Sequence, residues 1–240
     1  MKNNTIPALL LLVASFKLSA QDSKFHLGIR FAPNIAFTRV EDVKSSDGIS
    51  YETEGAGVRY SAGLTGEYFI GKTFAVYSGI WYNVQKAGVK VSDESGTPKI
   101  SGTSIHNLQY VQVPVGFKLV TDEVGTDLKL YFVVAGTLGL KINEKEKEWN
   151  TNEIKVGESD LKYRKPGAGN GYTYFDAGLL LTAGIEYKLS ESNSLFVGLS
   201  YNRGLTEIQS KKGPFNTGQD AGDSFKVRAA LLSLEVGIKF

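Results

Sequence analysis

"LLSLEVGIKF", residues Leu231 to Phe240, is the stretch whose reading decides the fold. Leu232, Leu234, Val236, Ile238 and Phe240 alternate with Ser233, Glu235, Gly237 and Lys239. A repeat of two residues puts one set on each face of a strand, so this strand has an oily face and a polar one. An exposed edge of that kind has no solvent partner in a membrane, where every backbone group must be paired internally. The expectation is that this last strand pairs with the first and closes a barrel.

The same alternation recurs upstream. It runs through "FHLGIRFA" from Phe25, "VRYSAGLTGEYFI" from Val58 and "FAVYSGIWYNVQK" from Phe74, where Trp81 falls on the polar face. It continues in "YVQVPVGFKLV" from Tyr110, "LKLYFVVAGTLGLKI" from Leu128, "FDAGLLLTAGIEY" from Phe175 and "LFVGLSYNRGL" from Leu195. With the strand from about Phe225 to Phe240, this predicts an all-β chain: an eight-stranded antiparallel up-and-down transmembrane β-barrel.

The connections support that topology. Those at Gly71-Lys72, Thr121–Asp127 and Ser190–Asn193 are short. Those at about 40–57, 90–105, 143–173 and 207–224 are long and polar. Short and long alternate along the chain, which predicts two rims facing different compartments. The polar face is rich in Gly, Ser and Thr and carries charges of both signs, which suits a narrow, filled lumen. The apolar face is almost free of charge, which suits hydrocarbon, where a midplane charge costs about 2–4 kcal/mol. Tyr68, Tyr187 and Phe240 fall towards the short-turn rim, and Tyr60, Tyr82, Tyr174 and Tyr201 towards the long-loop rim. Those are the positions of aromatic girdles.

Composition narrows the function classes. The 240 residues carry 27 basic and 25 acidic side chains, a net +2, which gives no electrostatic case for nucleic acid. There is no cysteine, which removes disulfides, thiolate metal sites and cysteine nucleophiles. At the N-terminus, Lys2, the apolar run Ile6–Phe16 and small Ala20 predict a signal peptide over residues 1–20, with a barrel over 21–240.

Three stretches then resemble one family. "LQYVQVPVGFKL" (Leu108–Leu119) is similar to the Tyr-aliphatic-polar-aliphatic-Pro strand of the PorT-like outer-membrane β-barrel family (the OMP_b-brl_2 type). "YFDAGLLLTAGIEYKL" (Tyr174–Leu189) resembles its Phe-Asp-x-Gly strand ending in Gly-aliphatic-Glu-Tyr. "LSYNRGLTEI" (Leu199–Ile208) resembles its Tyr-x-x-Gly-Leu strand end. The resemblance implies a bacterial outer-membrane location with long loops outside. It implies insertion machinery reading the strand that ends in Phe240, and a link to type IX secretion or other surface proteins. It brings no catalytic residues. A monomer in contact with outer-membrane lipid is expected.

Chemistry is sparse. Ser104 and His106 stand two apart, on one face of a strand, and make a rim-located Ser/His pair the alternative, lipid-modifying enzyme reading. "KPGAGNG" (Lys165–Gly171) follows no buried strand and reads as a surface loop rather than a phosphate cradle. "NEKEKEW" (Asn143–Trp149) reads as a solvated strand extension or loop. The acidic stretch Glu41–Gly55 lacks calcium-loop spacing, and no metal or cofactor is expected. The constellation with most content is in the lumen. Arg30, Glu67, Lys118, Glu186 and Glu235 are placed in its lower half, and Arg59, Lys141 and Asp176 in its upper half. Unpaired buried charge is costly, so Arg30 is expected to meet Glu67 or Glu235.

Overall fold

The computed structural model describes residues 24–44, 49–93, 100–152, 171–210 and 224–240. The predicted leader and most of the glycine-rich stretch, residues 165–170, lie outside these. The strands are β1 (Phe25–Lys44), β2 (Ile49–Thr53), β3 (Ala56–Phe69), β4 (Phe74–Asp93) and β5 (Ile100–Gly125). They continue as β6 (Leu128–Asn152), β7 (Phe175–Lys188), β8 (Ser194–Gly204) and β9 (Ser224–Lys239). All pairings are antiparallel, and the order β4-β3-β1-β9-β8-β7-β6-β5 returns to β4, a closed ring of eight. β2 pairs with the upper end of β4, continuing the line of β3. Leu27 and Phe240 exchange backbone hydrogen bonds of 2.9 and 2.8 Å, so the last residue is stitched to the first strand.

The short turns follow from local chemistry. Between β5 and β6 the chain reverses at Thr126-Asp127, with Asp127 at φ 60°, a conformation that aspartate tolerates better than most residues. At the other rim the structure corrects the sequence reading. Strands run well into the stretches expected to be loops: β1 to Lys44, β4 to Asp93, β6 to Asn152, and β2 wholly within 40–57. β5 and β6 span 26 and 25 residues, against the roughly 9–11 that cross a bilayer.

The extension escaped the sequence reading because its polarity is inverted. In the lower barrel, Phe31, Ile80, Leu138, Leu199 and Leu234 face out and are exposed, while Arg30, Trp81, Thr137, Ser200 and Glu235 are buried in the lumen. Further up β4, Lys90 faces out while Val89 and Val91 are buried. Further up β9, Lys226 is exposed while Phe225, Val227 and Ala229 are buried. The upper interior is an apolar cluster of Tyr51, Val89, Leu108, Tyr110, Tyr172 and Val227, among others. Below the reversal the outer medium is hydrocarbon and the lumen holds the polar groups. Above it the outer medium is water, and the hydrophobic effect drives the apolar side chains inward.

Candidate functional site: the lumen and its upper seal

Three layers fill the interior. The lowest is a ring of four ions from four strands. Lys118 on β5 donates to Glu67 on β3 at 2.5 Å and to Glu186 on β7. Lys239 on β9 donates to Glu186 at 2.5 Å and to Glu67 at 3.4 Å. Just above, Arg30 donates from Nε to Glu235 at 2.7 Å and from a terminal nitrogen to the Ser61 hydroxyl at 2.9 Å. The Tyr131 hydroxyl donates to the other Glu235 oxygen at 2.9 Å. The Arg30 guanidinium lies 4.1 Å from the centre of the Trp81 ring, a cation–π contact. Arg30, Lys118 and Lys239 thus balance Glu67, Glu186 and Glu235. Each ion makes more than one contact, which is how buried charge offsets its desolvation.

Glycines make room for the aromatic residues between these ions. A Cβ on Gly198 would come within 2.3 Å of the Tyr131 hydroxyl, and one on Gly237 within 2.3 Å of the Phe196 ring. His26, near the short-turn rim, packs edge-on against Phe69 at 5.3 Å between ring centres.

The middle layer is neutral apart from Asp176. That carboxylate accepts from Gln85 at 3.2 Å and from the Thr206 hydroxyl at 3.0 Å. Asn83 donates to Gln112 at 2.8 Å. Lys141 lies higher, donating to Glu144 at 2.6 Å and to the Tyr172 carbonyl at 2.6 Å.

Arg59 is a correction. It was expected in the upper lumen, but its Nε donates at 2.8 Å to Asn107, whose partner on β6 is the exposed Lys145. The reason is a seam. The β3–β4 ladder stops at the Ser61–Asn83 pair and resumes only with Thr53–Val89 on β2. Thr38 of β1 fills the gap, donating to the Lys86 carbonyl and accepting from the Gly88 amide. Arg59 leaves through the remaining opening.

The sequence reading missed Lys239 and Glu144. Lys239 shares a face with Glu235 four residues away and was open to the period-two rule. Glu144 was not. A bulge at the Gln109/Tyr110 step places Ile142 and Asn143 both outward, and Glu144 therefore returns to the inside.

Ser104 and His106 do come together, with Oγ 3.2 Å from Nδ1. Both are buried inside the upper apolar layer, and the imidazole lies 5.2 Å from the Tyr172 ring centre. The pair is therefore interior rather than on the rim. Among the described residues, no group of three or more His, Asp or Glu side chains could hold a metal.

Solved structures with similar shape include outer-membrane proteins. Neisserial surface protein A (NspA) is 15% identical with a TM-score of 0.42, covering 91% of this chain and 98% of that one. OprG from Pseudomonas aeruginosa is 11% identical with a TM-score of 0.49, covering 89% and 95%. Ail, the attachment invasion locus protein of Yersinia pestis, is 13% identical with a TM-score of 0.36, covering 90% and 99%. At these values the likenesses carry no argument about function. No curated protein matches the chain. The model of one protein family matches residues 19–210, most of the chain, in keeping with the closed ring and its apolar outer band. The chain belongs to the outer membrane protein beta-barrel domain family and is a bacterial outer-membrane barrel.

Proposed function

We propose that this protein is a non-enzymatic envelope component that works by contact, with its long-loop end outside the cell holding other secretion or surface proteins. The observation that carries this reading is the polarity reversal. The strands continue past the lipid band into a packed extension, so they form a stiff pedestal whose interior is closed by Tyr51, Leu108, Tyr110 and Tyr172. A conducting role would call for one-sided charge rings around a wet channel. Here the lower lumen is charge-balanced and the upper lumen apolar. The resemblance to the PorT-like family favours a partner in type IX secretion or surface assembly.

The test is purification from native outer membranes in mild detergent at native expression, followed by mass spectrometry. Stoichiometric secretion or surface proteins are the expected result. A lone barrel would overturn a stable complex.

A lipid-modifying enzyme is the second reading, and the 3.2 Å Ser104–His106 contact is the observation that favours it. It requires His106→Ala to abolish turnover of outer-membrane lipid. The contact reading expects that variant to keep its partners.

A further inference from the structure

We infer that the outer face of β8, β9 and β1 is a binding site for one phosphorylated, multiply acylated lipid of the outer leaflet. The site has a cationic head region and an apolar floor, stacked in the order a lipid presents them.

The head region lies just above the apolar band. Rungs of outward residues climb the three strands: Tyr201–Leu232–Ile35, then Arg203–Ala230–Phe37, then Arg228 beside Arg39, then Lys226 beside Glu41. Successive rungs are about 7 Å apart. Arg39 reaches over β9 to donate to the Gly204 carbonyl of β8 at 2.9 Å, and the outward Ala230 beneath it is only 1% exposed. Glu41 accepts from Arg39 at 2.8 Å and from Arg228, which fixes both guanidinium groups in place. Glu207 is a further carboxylate near Lys226 and Arg228. Among the described residues, three guanidinium groups, those of Arg39, Arg203 and Arg228, gather here with the carboxylates of Glu41 and Glu207. Arg203 is exposed, one rung above the last apolar rung. Guanidinium groups held at a lipid–water boundary match phosphate oxygens in both charge and geometry.

The floor lies directly below. One groove of about 280 Å³ runs over Pro33, Ile35, Val58, Leu199, Leu232 and Leu234. A second, of about 340 Å³, runs over Phe132, Val134, Leu181, Leu199, Tyr201 and Leu232. They meet at Leu199 and Leu232, beneath Arg203. The first opens where Pro33, which has no N–H, interrupts the β1–β9 ladder between Phe31–Val236 and Asn34–Ser233. Two adjoining grooves under one cationic head region fit a headgroup carrying more than one acyl chain.

The test is native mass spectrometry of the full mature chain in dodecylmaltoside, titrated with diphosphoryl lipid A and, separately, with phosphatidylethanolamine. The expected result is a one-to-one adduct with lipid A, retained at least tenfold better than phosphatidylethanolamine. Arg203→Gln with Arg228→Gln should weaken retention at least fivefold, while Lys145→Gln, exposed on β6 away from this face, leaves it unchanged. Arg203→Gln alone decides the matter should the double variant fail to fold, because Arg203 is exposed. Neither fully deacylated lipid A nor inorganic phosphate should displace the adduct. Equal retention by the arginine variants, or displacement by inorganic phosphate, would overturn the site.

Discussion

Arg30 and Glu235 lie 205 positions apart in the chain, and the arginine Nε donates to the carboxylate at 2.7 Å inside the barrel. One stands on β1 and the other on β9, the two strands whose pairing closes the ring. The contact is therefore formed only when the barrel is complete. It sits on the Trp81 face and shares its carboxylate with Tyr131, so each partner is held by more than the other.

Removing one member leaves a buried charge without its partner. Arg30→Met should cost about 3–5 kcal/mol, and Glu235→Gln a similar amount. Replacing both with Met should recover most of that loss. Equilibrium unfolding in guanidinium, in lipid vesicles, reads the three variants. Equal losses for the single and double replacements would show that the two residues act independently.

The lumen glycines make a sharper test of filling. A Cβ on Gly116 would lie 2.1 Å from the Val134 carbonyl oxygen and 2.4 Å from the Ala135 Cα on the next strand. Backbone cannot swing aside as a side chain can. Gly116→Ala should lose about 1–3 kcal/mol. Gly71→Ala, in a turn with nothing within 4 Å, should be neutral. Folded yield after dilution from urea into detergent distinguishes them.

Facing is open to fluorescence. Trp81 is 2% exposed in the lumen, whereas Leu138 is 64% exposed on the outer band. In a Trp149→Phe background, brominated acyl chains should quench the native Trp81 weakly. Leu138→Trp, with Trp81 replaced by Phe, should be quenched strongly by the same lipid. Equal quenching would reverse the assignment of the two faces.

One hydroxyl bridges the β3–β4 seam from the side of β1, beside the bonds that join Glu54 to Gly88 and Lys86 to Glu54. Thr38 Oγ1 donates to the Lys86 carbonyl at 3.2 Å and accepts from the Gly88 amide at 2.9 Å. Thr38→Val should cost about 1–3 kcal/mol, by leaving those buried backbone groups unmet. Amide exchange should quicken at Gly88 and its neighbours, with no change in the β5–β6 hairpin. Unchanged exchange at Gly88 would mean that the seam is held by other contacts.

The apolar extension yields a further variant. Phe225 stacks on Tyr51 with 4.4 Å between ring centres. Phe225→Ala should lower stability by about 3–5 kcal/mol while leaving insertion into vesicles intact, because the residue lies above the lipid band. Loss of insertion would place the residue inside the membrane-embedded barrel instead.

Alternation along single strands was enough to read the eight wall strands, the closure of the last on the first, and the inward placement of Glu67, Lys118, Glu186 and Glu235. These follow from the period-two geometry of one strand, which is local. Only the tertiary structure decided where that rule changes sign or slips. Polarity reverses above the lipid band, because the medium outside changes from hydrocarbon to water while the backbone stays the same. The bulge near Tyr110 turns Glu144 inward beside Lys141, and the gap between β3 and β4 lets Arg59 out towards Asn107. Which ions meet is set by the register between strands far apart in the chain. One unpaired residue in one strand shifts every partner beyond it, and no single strand records that.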